Sequence, residues 1–357
     1  MPGIARRSLL TIFVIILSLM TVPRFFHIHR DMAFNTIPRD DYAPYLLYLT
    51  GEKGDMVLSS PYGYRLLSVV VAIPFYLILP SYNFANLPQA DPAYQRATQA
   101  LAAASYVAIV ASCLVIFLIT RHRLRAPLFP SIMASLLAYN LFELTAMYGI
   151  DPIAIFVVGL LVYFLKQPVL FSLLIALSVG FNEKIPLMFL MLFLSRTLLH
   201  QTCKGHLLQS CSSALATGIY FALRFWVRLP GSEYQTSLTA WPASFASTLL
   251  ATFTAKGAIL NLMPLVAVLL MYLLAVVSTR PQDLSLYFSP ADILPMFGLV
   301  LLACTVNVEY NVGRIGMYCF PLYLPTATSF IGTELLQLDK TGSCRVDRTV
   351  PPAGTRQ

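Results

Sequence analysis

The sequence predicts an all-α integral membrane protein with about ten transmembrane helices and an interfacial or re-entrant helix in its first outer loop. Three observations lead there. Of the 357 residues, 57% are hydrophobic and only 11% charged, where a soluble domain carries about 25% charged residues. Mean hydropathy is +0.71. Apolar runs close to the ~20 residues that cross a bilayer recur along the chain. The net charge of +8 therefore reads as loop charge at a membrane face, not as a surface for nucleic acid. No polar stretch is long enough to build a second core. Residues 1–335 are expected to form one membrane domain. Residues 336–357, polar with Pro and Gly, are expected to be a disordered cytoplasmic tail.

The first apolar run, 8–23, follows Arg6 and Arg7. It resembles a signal peptide, but Pro23-Arg24-Phe25-Phe26 stands where a small-x-small cleavage site would be, so an uncleaved helix is expected. Further runs lie near 97–120, 128–147, 152–166, 168–181, 185–200, 207–226, 257–278, 291–308 and 315–333. The run Leu66–Pro80 is ambiguous: it has 15 residues, with Pro74 inside and polar flanks. Loop charge decides it. If 66–80 does not cross and the N-terminus is cytoplasmic, 13 of the 24 basic residues lie inside. If it crosses, the inside count falls to 8. Cytoplasmic loops carry the excess of Lys and Arg, so both termini are expected inside, with 66–80 lying at the outer face. The cluster Arg121-His122-Arg123-Leu124-Arg125 then falls in the cytoplasm. Ten of the 16 acidic residues fall outside. The six cysteines form no CxxC and no disulfide framework.

Residues 24–96 form the one long polar stretch. Within it, Pro44–Thr50 reads as a short helix closed by Gly51. Asp40 and Asp41 stand just before that helix. One aspartate there is a usual cap; two in a row, beside Arg39, also suit a general base at the membrane surface. His27, His29 and Asp31 alternate as a fragment of a metal site would, or as an interfacial polar edge.

Several short motifs follow one another in a familiar order. They are Asp41-x-x-x-Tyr45, Pro61-Tyr62-x-Tyr64-Arg65, Tyr148-x-x-Asp151-Pro152 and Asn182-Glu183-Lys184. In this order and topology the chain resembles the multi-spanning glycosyltransferases of the C-type fold, in particular bacterial members without an assigned substrate. The resemblance implies transfer of a sugar from a polyprenyl-phosphate-type lipid to an acceptor hydroxyl on the outer face of a bacterial inner membrane. It implies Asp41, with Asp40 as its rival, as the base, and a lipid-linked donor among membrane lipids as the partner. No cofactor is required by that chemistry, although some relatives use a divalent metal.

The lipid phosphate is already a good leaving group. The remaining need is for cations that stabilise its charge, and arginine suits this because its fork binds phosphate oxygens in pairs. Arg65, Lys184 and Arg314, each at the outer end of a predicted element, are the candidates. Asp151, Glu183, Glu309 and Tyr310 are the supporting residues. Snorkelling towards headgroups is the alternative for each cation, and capping the alternative for Asp151. Two other functions fit the same topology. A transporter or lipid flippase would place polar groups at mid-membrane, where Glu143 stands nearly alone. An outer-face polysaccharide polymerase or ligase would use its late outer loop, here 227–256.

Overall fold

The computed structural model describes residue 28 and residues 43–51, 64–80, 92–144, 149–199, 205–227, 241–258, 262–278, 290–305 and 312–330. The regular elements among them are all helical. The run 8–23 and the tail from 336 lie outside the described residues.

The first described helix is α1, Ala43–Thr50. Gly51 ends it at φ +77°, a left-handed conformation that glycine adopts without the Cβ penalty. The ambiguous run 66–80 is two short helices, α2 (Leu66–Val70) and α3 (Ile73–Ile78), with a break at Val71 and Ala72. Pro74 lies in the first turn of α3, where its missing N–H costs nothing.

The centre of the bundle is α4, Pro92–Leu118, extended by a π-helical turn to Arg123. Together, Pro92–Arg123 make the one described helix that is long and apolar enough to cross a membrane, and most of it is buried inside the bundle. Its buried positions are mainly small, among them Ala97, Ala100, Ala104, Ser105 and Ala108. Small residues let helix backbones approach closely. The shorter helices that follow are α5 (Leu128–Leu144), α6 (Asp151–Tyr163), α7 (Pro168–Ser178) and α8 (Lys184–Leu198). Next come α9 (His206–Trp226), α10 (Trp241–Thr252), α11 (Met263–Ser278) and α12 (Leu294–Thr305). The chain then makes α13 (Val312–Gly316), a tight turn and a last helix, α14, over 320–330. These helices coincide with the apolar runs from 97–120 onward. One was not expected: α10 lies in what read as the loop 227–256.

The packing of α9 is inside out. Gln209, Ser213, Thr217 and Tyr220 face the bundle and are buried, while Leu207, Leu215, Ile219 and Trp226 are exposed. In water a helix buries its apolar stripe; here the polar one is buried. Its neighbour α7 also exposes Leu170, Leu173 and Leu177, although it buries Phe171 and Ile175, and its Ser172 accepts a hydrogen bond from Ser212 at 2.7 Å.

Candidate functional site

Five charged residues singled out in the sequence meet at one end of the bundle. They arrive on four separate stretches of chain. Arg65 immediately precedes α2. Glu183 and Lys184 form the start of α8, Asp151 is the first residue of α6, and Arg314 lies in α13.

Two backbone contacts seat α2 here. Leu67 N–H donates to Gly180 O at 3.0 Å, and Ser68 Oγ donates to Phe181 O at 3.0 Å. A Cβ at Gly180 would lie 2.6 Å from a Leu67 methyl carbon, so the close approach needs glycine. It carries Arg65 to Glu183, where the guanidinium makes a two-pronged pair: Nε donates to Oε2 at 2.8 Å and Nη2 to Oε1. The phenol of Tyr45, on the first turn of α1, lies against Arg65.

The second pair is built differently. Arg314 gives both Nε, at 2.7 Å, and Nη2 to the same oxygen, Asp151 Oδ2. The other oxygen, Oδ1, accepts from Tyr318 Oη at 2.5 Å. Asn182 donates from Nδ2 to Tyr318 Oη at 3.1 Å, and its Oδ1 accepts the Lys184 backbone N–H at 3.1 Å. Asp151 thus serves as more than a cap: its side chain ties α6 to α13.

Lys184 stands between the two pairs, just before the apolar run 185–200. Its ammonium lies 5.2 Å from the centre of the Tyr318 ring. Burial, and then the charge of Arg65, pull it down to about 8, although Glu183 and Asp151 act the other way. Burial raises the carboxyl of Glu183, but Arg65 and Lys184 outweigh it and hold it at about 2. Burial likewise opposes the charge on Asp151, and Arg314, Lys184 and Tyr318 overcome it, leaving its carboxyl below the usual range. Three cations face two carboxylates among the described residues here. Such a cluster can accept one further negative charge, and Arg314, at 27% side-chain exposure, is more open than Arg65 at 14%.

Asp40, Asp41, Glu309, Tyr310, His27, His29 and Asp31 lie outside the described residues, as does the Glu143 side chain. Among the described residues no three His, Cys, Asp or Glu side chains group as metal ligands. Two central residues, Tyr318 and Asn182, carry no role in the sequence reading. Tyr318 was within reach of it: a residue four places after Arg314 shares its helical face.

At the other end of α8, Arg196 and Asp292 form a buried pair, with Nε to Oδ1 at 2.9 Å and Nη2 to Oδ2 at 2.7 Å. Tyr323 Oη donates to the Asp292 carbonyl at 2.7 Å. Arg123 stacks on Tyr163 at 4.4 Å, near Lys166 and Arg125.

No family model, curated protein or solved structure matches this chain.

Proposed function

We propose that this protein is a polytopic membrane glycosyltransferase that takes its sugar from a polyprenyl-phosphate-type lipid at the outer face. The observation that carries this reading is the meeting of Arg65, Lys184 and Arg314 with Glu183 and Asp151. Phosphate leaving as an anion needs preorganised positive charge around it. The two carboxylates hold the arginines in place, and Lys184 supplies the charge in excess.

The finer architecture belongs to the same proposal: ten spans, both termini in the cytoplasm, and 66–80 lying at the outer interface. The inside-out packing of α9 supports a lipid surround, because lipid accepts exposed Leu and Trp that water would not. Contact partners support the orientation. Arg65, Asp151, Glu183, Lys184 and Arg314 are all assigned to the outside, and they lie together as two ion pairs with Lys184 in electrostatic reach of both. Arg196 and Asp292 are both assigned to the inside, as are Arg123, Arg125 and Lys166, and each group lies together.

In this mechanism Asp41 removes the acceptor proton while the cations take the phosphate charge. Asp41 lies four positions before Tyr45, a reach of at most about 14 Å, and Tyr45 lies close to Arg65. The test is sugar transfer in proteoliposomes supplied with a panel of polyprenyl-phosphate sugars. Asp41→Asn is expected to abolish transfer at unchanged membrane level. Activity kept in Asp41→Asn and lost in Asp40→Asn would move the base by one residue. Activity kept in both would remove the base from this loop.

A further inference from the structure

We propose that Tyr318 is a positioning residue of this anion site: its hydroxyl occupies one oxygen of Asp151 and so keeps Arg314 on the other, with Asn182 setting the direction of that hydroxyl. The inference rests on the phosphate reading above and deepens it.

The hydrogen-bond directions follow from donor and acceptor chemistry. The Lys184 backbone N–H can only donate, so Asn182 must turn Oδ1 towards it. The amide NH₂ of Asn182 then faces Tyr318, whose oxygen accepts it. The single phenolic proton is left for Asp151 Oδ1. The start of α8 therefore dictates, through two side chains, which oxygen of Asp151 remains for Arg314.

The two arginines show what this does. Among the described residues no hydroxyl is seen bonded to Glu183, and Arg65 lies across both its oxygens. Asp151 has one, and Arg314 converges on a single oxygen. Without the hydroxyl, the Asp151 carboxylate would turn to take the whole fork, as Glu183 does. The same two nitrogens, Nε and Nη2, would still donate, as they do in Arg65, but the guanidinium would turn about its partner and its outer edge would point away from the direction the present geometry gives it. The ring of Tyr318 has a separate part, since it lies under Lys184 whether or not the hydroxyl is present.

The test is calorimetric titration of the full-length protein in detergent micelles with farnesyl phosphate. Tyr318→Phe is expected to weaken binding about tenfold, the loss typical of a hydrogen bond to a charged group. In an Arg314→Lys background, where no fork exists, the same change is expected to alter affinity by less than about twofold. The fall in binding above pH 8 should stay where it is in the parent protein, because the ring remains beneath Lys184. Asn182→Ala, which leaves the hydroxyl but frees its direction, should weaken binding several-fold, and it stands in if Tyr318→Phe fails to fold. Additive losses in the two backgrounds, or parent-like affinity in both Tyr318→Phe and Asn182→Ala, would overturn the positioning role alone. No binding of farnesyl phosphate by the parent protein would instead overturn the phosphate reading beneath it.

Discussion

Lys184 is the residue on which the electrostatics of the site turn. Arg65 and Arg314 each have a carboxylate in contact, and the lysine makes the third positive charge. With its ammonium at about 8, it is charged at neutral pH and loses its proton in mild alkali. The contribution of Lys184 to binding an isoprenoid phosphate should therefore be fully present well below pH 8 and be lost as pH rises through 8. Bound phosphate favours the charged lysine, so binding at pH 8 should take up protons. Titrations in buffers of different ionisation enthalpy measure that uptake, and it should vanish in Lys184→Met. At this scale the charged members of the site were legible, because a charge at the end of an apolar run costs free energy and so stands out. Tyr318 and Asn182 were given no role. Each is uncharged, and tyrosine near a span end is ordinary in a membrane protein.

Among the elements, short pieces matter more than long ones. The break between α2 and α3 lets α2 dock on the turn before α8, and Gly180 is where it docks. Gly180→Ala is expected to destabilise the protein by about 1–3 kcal/mol through overpacking, read as a lower thermal midpoint. Shortening the opposing side chain, Leu67→Ala, should recover part of that loss in the double variant. The apolar runs located most helices, since length and hydrophobicity are local signals. The α2–α3 break is carried by Pro74 and by tertiary contacts, and only the first of these is written locally. For α10 the signal was weak: its residues, WPASFASTLLAT, mix Ser and Thr with apolar positions, and they follow a polar stretch. The buried polar face of α9 was hidden for a different reason. Gln209, Ser213 and Thr217 are spaced as a helical stripe, but periodicity alone does not say which stripe faces the bundle.

For the whole molecule, α8 relates two polar layers. Lys184 opens it and Arg196 lies near its end, about 18 Å away at 1.5 Å per residue. Near the Arg196 end, the pair of Arg196 and Asp292 is buried, at 2% and 1% exposure. Near the Lys184 end, Arg314 is at 27%, and among the described residues three cations stand with two carboxylates. In the proposed function the chemistry takes place at the Lys184 end. The most direct test of that claim is photolabelling in proteoliposomes with a diazirine-bearing isoprenoid phosphate, followed by peptide mapping. The proposed site predicts labelled peptides covering 64–72, 182–186 and 312–318, displaced by unlabelled isoprenoid phosphate and lost in Lys184→Met. Label confined to peptides around Arg196 and Asp292, or label on the outer peptides that Lys184→Met leaves unchanged, would contradict it.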